Sequence, residues 1–185
     1  LILTLLFSKL FRFDIEHYAV YYLSGFLAWN FFAQSTVTAM SSMSWNGPLM
    51  KRVRVPRSLF PISIVLSGVV NLALSCIPLV AIMLIVGAPI RLSILFLPVS
   101  LAVLTLFCCG AALGLSAISV YFDDINSMYQ IVLTGMMFLT PIFYPISIVP
   151  PKVLVFMKMN PMYHMVGLFR SPVWGGFVPT LVTFG

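Results

Sequence analysis

Residues Ser44–Pro61 read SWNGPLMKRVRVPRSLFP. Four of the chain's ten Lys and Arg residues, Lys51, Arg52, Arg54 and Arg57, fall within seven positions of this stretch. On either side lies a 33-residue run without a charge, Tyr18–Met50 and Ser58–Ile90. A helix needs about 20 apolar residues to cross the hydrocarbon of a bilayer. A tight basic break between two such runs reads as a water-facing loop between membrane helices. Such a loop can simply fix topology. It can also rest on anionic lipid or meet a partner protein at the membrane surface. Asn46-Gly47-Pro48 marks a turn. Leu49–Val55 fits a short interfacial helix with a basic face, ended by Pro56.

The composition generalises this reading. Of 185 residues, 61% are hydrophobic and 8% charged, whereas a soluble domain carries roughly 25% charged residues. Too few charges remain to cover a water-facing surface. The apolar runs are continuous rather than alternating, which selects helices over a barrel. The fold class is therefore all-α, a polytopic helical membrane protein. The net charge of +6 fits topology and lipid headgroups. Nucleic acid is not a partner, because aromatics do not interleave with the basic residues as a binding groove requires. Cys76, Cys108 and Cys109 all fall inside apolar runs and lack metal-ligand spacing. No metal and no cofactor is expected. The chain opens on LILTLLF and ends on Phe184-Gly185. It reads as a single transmembrane domain over 1–185, a fragment clipped within its first and last spans, with no cleavable signal peptide visible.

Taken in order, Val20–Met43, Phe60–Val86 and Leu92–Val120 read as complete spans, with Pro78 kinking the second. Gly110 and Gly114 give the third a GxxxG spacing that permits close helix contact. Tyr18, Tyr21, Tyr22 and Trp29 sit where an aromatic belt belongs. Gln34, Ser35, Thr36 and Thr38 suit either hydrogen bonding between helices or the wall of a polar pathway. Asp123 and Asp124 read as a solvated loop whose charge also favours a helix start near Ser127. A shorter span, Ser127–Tyr144, should break at Thr140-Pro141-Ile142-Phe143-Tyr144-Pro145. Ile146–Arg170 is apolar but interrupted by Pro150, Pro151, Lys152, Lys158, Asn160 and Pro161. One or two short helices that lie at or dip into the membrane are expected there, with the backbone satisfied by protein or water. His164 is assigned no chemistry.

Basic residues are divided between the two sides, six against four, and the four form the tight cluster. No phosphate-binding GxxxxGK[ST] loop, HExxH or GxSxG occurs. The spans lack the buried acids of an ion-coupled transporter. An ion-coupled secondary transporter or channel, and a membrane-embedded enzyme, rank below a permease for these reasons.

Three groups of residues carry a family resemblance. They are Tyr22–Phe32 (YLSGFLAWNFF), then Met50–Arg57 (MKRVRVPR) followed by Phe60–Ser63, then Tyr121–Ile125 with Thr140–Pro145, Asn160-Pro161-Met162 and Phe169-Arg170. In this order they resemble the permease subunit of type 2 ABC exporters, in the branch that exports O-antigen, capsular polysaccharide and teichoic acid. The resemblance implies a six-span permease of the bacterial inner membrane. It implies a homodimer paired with separate ATPase subunits, and export of a polysaccharide or lipid-linked glycan. The chain itself would be a transport subunit, not an enzyme. The alternative of the same fold is an exporter of drugs or antibiotics. Lys51, Arg52, Arg54, Pro56 and Arg57 are implied to form a cytosolic loop touching the ATPase, stiffened as a lever by its prolines. Asp123 and Asp124 fall in a second cytosolic loop. The family commonly has Arg where this chain has Asp123. The stretch from Pro145 to Arg170 would face outward and dip into the membrane near the exit. Tyr21, Tyr22, Trp29, Phe32, Phe143 and Tyr144 are the candidate pathway aromatics, able to stack on sugar faces.

Overall fold

The computed structural model describes residues 18–45, 56–87, 92–122, 124–146 and 149–175. Helix α1 runs over Tyr18–Trp45 and α2 over Leu59–Val86, 28 residues each. At 1.5 Å per residue each is about 42 Å long, enough to cross a bilayer. A 3₁₀ turn, Leu92–Phe96, leads into α3, Leu97–Ser119. Helix α4, Ile125–Leu139, has 15 residues. Two short helices follow, α5 over Pro151–Met159 and α6 over Pro161–Arg170, the latter running on into one π-helical turn, Ser171–Gly175. The described residues contain no strand.

The all-α reading holds, and its breaks fall at the prolines. Helix α4 starts two residues before Ser127 and stops at Leu139 rather than Tyr144. The cause is Pro141, which forces the residue before it out of the helical region, and Thr140 is extended, with ψ at 128°. Pro78 is carried inside α2. The interrupted stretch becomes two short helices, each opening with proline in its first turn.

Helix α1 is the centre of the bundle, packing against α2, α3, α4 and α6. Its buried residues, among them Val20, Ala28, Trp29, Phe32, Thr36 and Met40, lie around much of its circumference. Helix α3 meets the core through Ser100, Leu104, Cys108, Ala112 and Ser116, one residue every fourth position. Such an i±4 row is a ridge that seats in a neighbouring groove. The outward faces of α2 and α3 carry Leu66, Val70, Leu74, Ile77, Val99 and Leu106, all exposed. These apolar faces suit lipid. Helix α2, and α3 with the 3₁₀ residues leading into it, are long and apolar enough to cross a membrane. Helix α1 is long enough but less apolar, as expected for a helix surrounded by protein. A methyl group at Gly110 or Gly114 would meet nothing within 4 Å, so that spacing makes no close contact among the described residues.

Helices α1 and α2 are antiparallel neighbours. The Ser119 hydroxyl near the end of α3 donates to the Met40 carbonyl near the end of α1. The start of α2, the end of α3 and the start of α4 therefore lie at one end of the bundle. The α5–α6 hairpin lies at the other, beside the start of α1.

Candidate functional site

The first element of the site is a clasp that holds the broken backbone. Ending α4 at Pro141 frees carbonyls that lipid cannot satisfy. The Tyr18 hydroxyl donates to the Phe143 carbonyl at 2.7 Å, and the Tyr21 hydroxyl to the Tyr144 carbonyl at 3.0 Å and, more loosely, to that of Pro141 at 3.4 Å. Arg170, at the end of α6, donates from Nη1 to the Pro141 carbonyl at 2.9 Å. Its guanidinium lies over the Tyr21 ring. Arg170 is only 7% exposed. Its Nε and Nη2 have no hydrogen-bond partner among the described residues. Nη2 packs against Gly25, where a methyl group would collide with it.

Asn160 makes a second tie. Its side chain caps α6 by accepting from the Met162 amide at 3.0 Å. Its Nδ2 donates to Thr140 Oγ1 at 3.0 Å. The Asn160-Pro161 pair thus starts α6 and pins the hairpin to the end of α4 at once.

The second element is a polar seam between α1 and α2. Asn30, Gln34 and Thr38 recur every fourth residue on α1, and Ser63, Ser67, Asn71 and Ser75 do so on α2. Four residues advance about 6 Å and slightly more than one turn, so each set forms one row along its helix. The two rows line adjoining open clefts of about 150 and 310 Å³. Ser35 lies buried beneath them. The helices approach closely at Gly68, where a methyl group would meet Ser35 Oγ at 2.5 Å and the Phe31 ring at 3.0 Å. Among the described residues no charged side chain lines either cleft.

The sequence-predicted residues are distributed as follows. Lys51, Arg52, Arg54 and Asp123 lie outside the described residues. Pro56 and Arg57 are exposed at the entry to α2, where their carbonyls accept from the Leu59 and Phe60 amides. Asp124 is exposed at the start of α4, with no side-chain cap bond. Arg57 and Asp124 share one end of the bundle. Tyr22 and Phe143 meet with ring centroids 5.5 Å apart. The Tyr144 hydroxyl donates to the Phe138 carbonyl at 2.6 Å. Tyr21 belongs to the clasp. Trp29 and Phe32 are buried in the core, Phe32 stacked on Phe107. His164 Nε2 lies 2.9 Å from the Lys158 carbonyl. The α2 row and the clasp role of Arg170 escaped the sequence reading. The four-residue spacing of Ser63, Ser67, Asn71 and Ser75 was the available signal for the first.

Two helices long and apolar enough to cross a membrane, a largely buried central helix and a proline-broken hairpin fit a helical membrane protein. The profile of the family described as ABC-2 type transporter matches residues 1–174, and the chain belongs to that family. Two curated relatives from Klebsiella pneumoniae, both named O-antigen export system permease protein RfbA, are 24% identical over 172 residues and 26% over 173. One of the same name from Myxococcus xanthus is 25% identical over 173 residues. Each alignment covers 92% of this chain and 66% of the relative. The chain thus spans just under two thirds of the length of these relatives.

Proposed function

We propose that this chain is the membrane-spanning part of the permease subunit of an ATP-driven exporter that moves a polysaccharide or lipid-linked glycan outward across the bacterial inner membrane. The observation that carries this is the alignment of 92% of the chain with relatives named for O-antigen export. ATP is hydrolysed by a separate partner subunit, and two permease copies form the pathway. The loop with Lys51, Arg52, Arg54, Pro56 and Arg57 contacts the ATPase from the cytosol, with Asp123 and Asp124 in a second cytosolic loop. The antiparallel pairing of α1 and α2 supports a common end for these loops, opposite the α5–α6 hairpin. The bundle converts closure of the ATPase pair into movement of its helices, and the aromatics near the hairpin, Tyr21, Tyr22, Phe143 and Tyr144, flank the exit. Trp29 and Phe32 support that wall from the core.

The test has two parts. The full-length protein is purified in mild detergent with the ATPase encoded beside it, and surface glycan is measured in cells with and without the permease. A stable complex and loss of surface glycan in the deletion strain are expected. Absence of any ATPase partner, or undiminished surface glycan, would overturn the reading.

A further inference from the structure

We infer that the seam between α1 and α2 is a binding track for the sugar part of the exported molecule, a neutral polyhydroxyl chain. This rests on the exporter reading and adds a site to it.

The carboxamides of Asn30, Gln34 and Asn71 are exposed and make no hydrogen bond among the described residues. Facing hydrocarbon, an unsatisfied amide carries a heavy desolvation penalty. The rows must therefore face water, another polar surface or a polar ligand. Each carboxamide offers two donors and an acceptor. That set matches neighbouring sugar hydroxyls, each of which both donates and accepts. The Ser63 and Ser75 hydroxyls donate to carbonyls of their own helix, those of Phe60 and Asn71, which leaves their oxygens free to accept. Among the described residues no cation lines the seam to pair with a phosphate, so its chemistry suits the uncharged sugars better than an anionic carrier group.

The geometry favours a linear polymer over a packed helix. Close helix contacts in membranes rely on small residues that let backbones approach. Here Asn30, Gln34 and Asn71 are exposed, and open clefts run between the two rows among the described residues. From Ser63 to Ser75 the α2 row climbs about 18 Å, a large part of the hydrocarbon thickness, with one polar rung per turn. Repeating rungs of similar chemistry let a chain of repeating sugars shift from one set of bonds to the next without a deep trap.

The experiment uses the full-length permease with its ATPase in cells making their own surface glycan. In the first arm Asn30, Gln34 and Asn71 are all changed to Leu, and export and co-purification of the ATPase are measured. In the second, Gln34→Cys is placed in a background with Cys76, Cys108 and Cys109 changed to Ser, and labelled with a membrane-impermeant thiol reagent. The expected result is a fall in export of about tenfold or more with the complex still assembled. Cys labelling should occur and slow while glycan is being exported. A triple variant exporting at the wild-type rate would overturn the track while leaving the exporter reading intact. So would absence of labelling, which would mean that another helix covers the seam. Should the triple variant fail to assemble, the labelling arm decides. A wild type that exports no glycan would sink the exporter reading itself.

Discussion

The guanidinium carbon of Arg170 lies 3.7 Å above the centroid of the Tyr21 ring. One side chain ends α6 and the other belongs to the first turn of α1. Between them they satisfy the Pro141 carbonyl, which the break after α4 leaves without a helical partner. The face of an aromatic ring attracts a cation, and here it offsets part of the cost of burying the guanidinium. Arg suits this place because its planar fork can stack and donate together, which an ammonium cannot do. Arg170→Lys should therefore lower stability by about 2 kcal/mol or more. Tyr21→Phe, which keeps the ring, should cost only about 1 kcal/mol. Thermal unfolding of the purified complex checks both. Equal melting temperatures for wild type and Arg170→Lys would mean that the clasp contributes nothing.

Gly25 gives the clasp its room. Gly25→Ala would drive a methyl group into Arg170 Nη2 and should destabilise by about 1–3 kcal/mol, the range for overpacking. Gly167→Ala, one turn before Arg170 with nothing within 4 Å, should be neutral or stabilising by up to about 1 kcal/mol. The contrast between two glycine substitutions is the measurement, and similar melting temperatures would refute it.

Asn160 joins a cap to a tie. Asn160→Asp keeps an acceptor for the Met162 amide but loses the donor to Thr140. Asn160→Ala loses both. The expected order of stability is wild type, then Asp, then Ala, with the last down by about 1–2 kcal/mol. If Asp proved as damaging as Ala, the tie to Thr140 and not the cap would be the part that matters.

For the basic loop, Arg54→Glu should leave membrane insertion intact while export falls, because reversing a charge places like charges against the partner. ATPase stimulation and surface glycan are measured together. Normal values of both would end the idea of this loop as a coupling lever.

Much of the fold could be read along the chain because membrane spans and proline breaks are local signals. The uncharged run around α2, the interruption at Thr140–Pro145 and the short helices in Ile146–Arg170 all follow from neighbouring residues. The site was less legible because it is not local. Tyr21 sits in an aromatic cluster that looks like an interfacial belt, and only folding shows its hydroxyl reaching Tyr144. Arg170 reads as one more cation in an interrupted stretch, yet its burial depends on Tyr21 and Gly25, far along the chain. Gln34 and Thr38 were recognised as polar, but their partner row on α2 lies hidden in a run dominated by Leu, Ile and Val. The pairing of the rows depends on the antiparallel register of the two helices, which neither sequence carries alone.

The central position of α1 also bears on how the protein is made. Helices α2 and α3 are long and apolar enough to cross a membrane and should leave the insertion machinery for lipid unaided. Helix α1, carrying Asn30, Gln34 and a series of hydroxyls, is not among the helices that meet that standard. Placed alone as a test segment in a reporter protein, α1 should integrate poorly, and the α1–α2 pair through Gly87 should integrate well. The first described helix to be synthesised is then a late settler, held back until α2 arrives to accompany it into the bilayer.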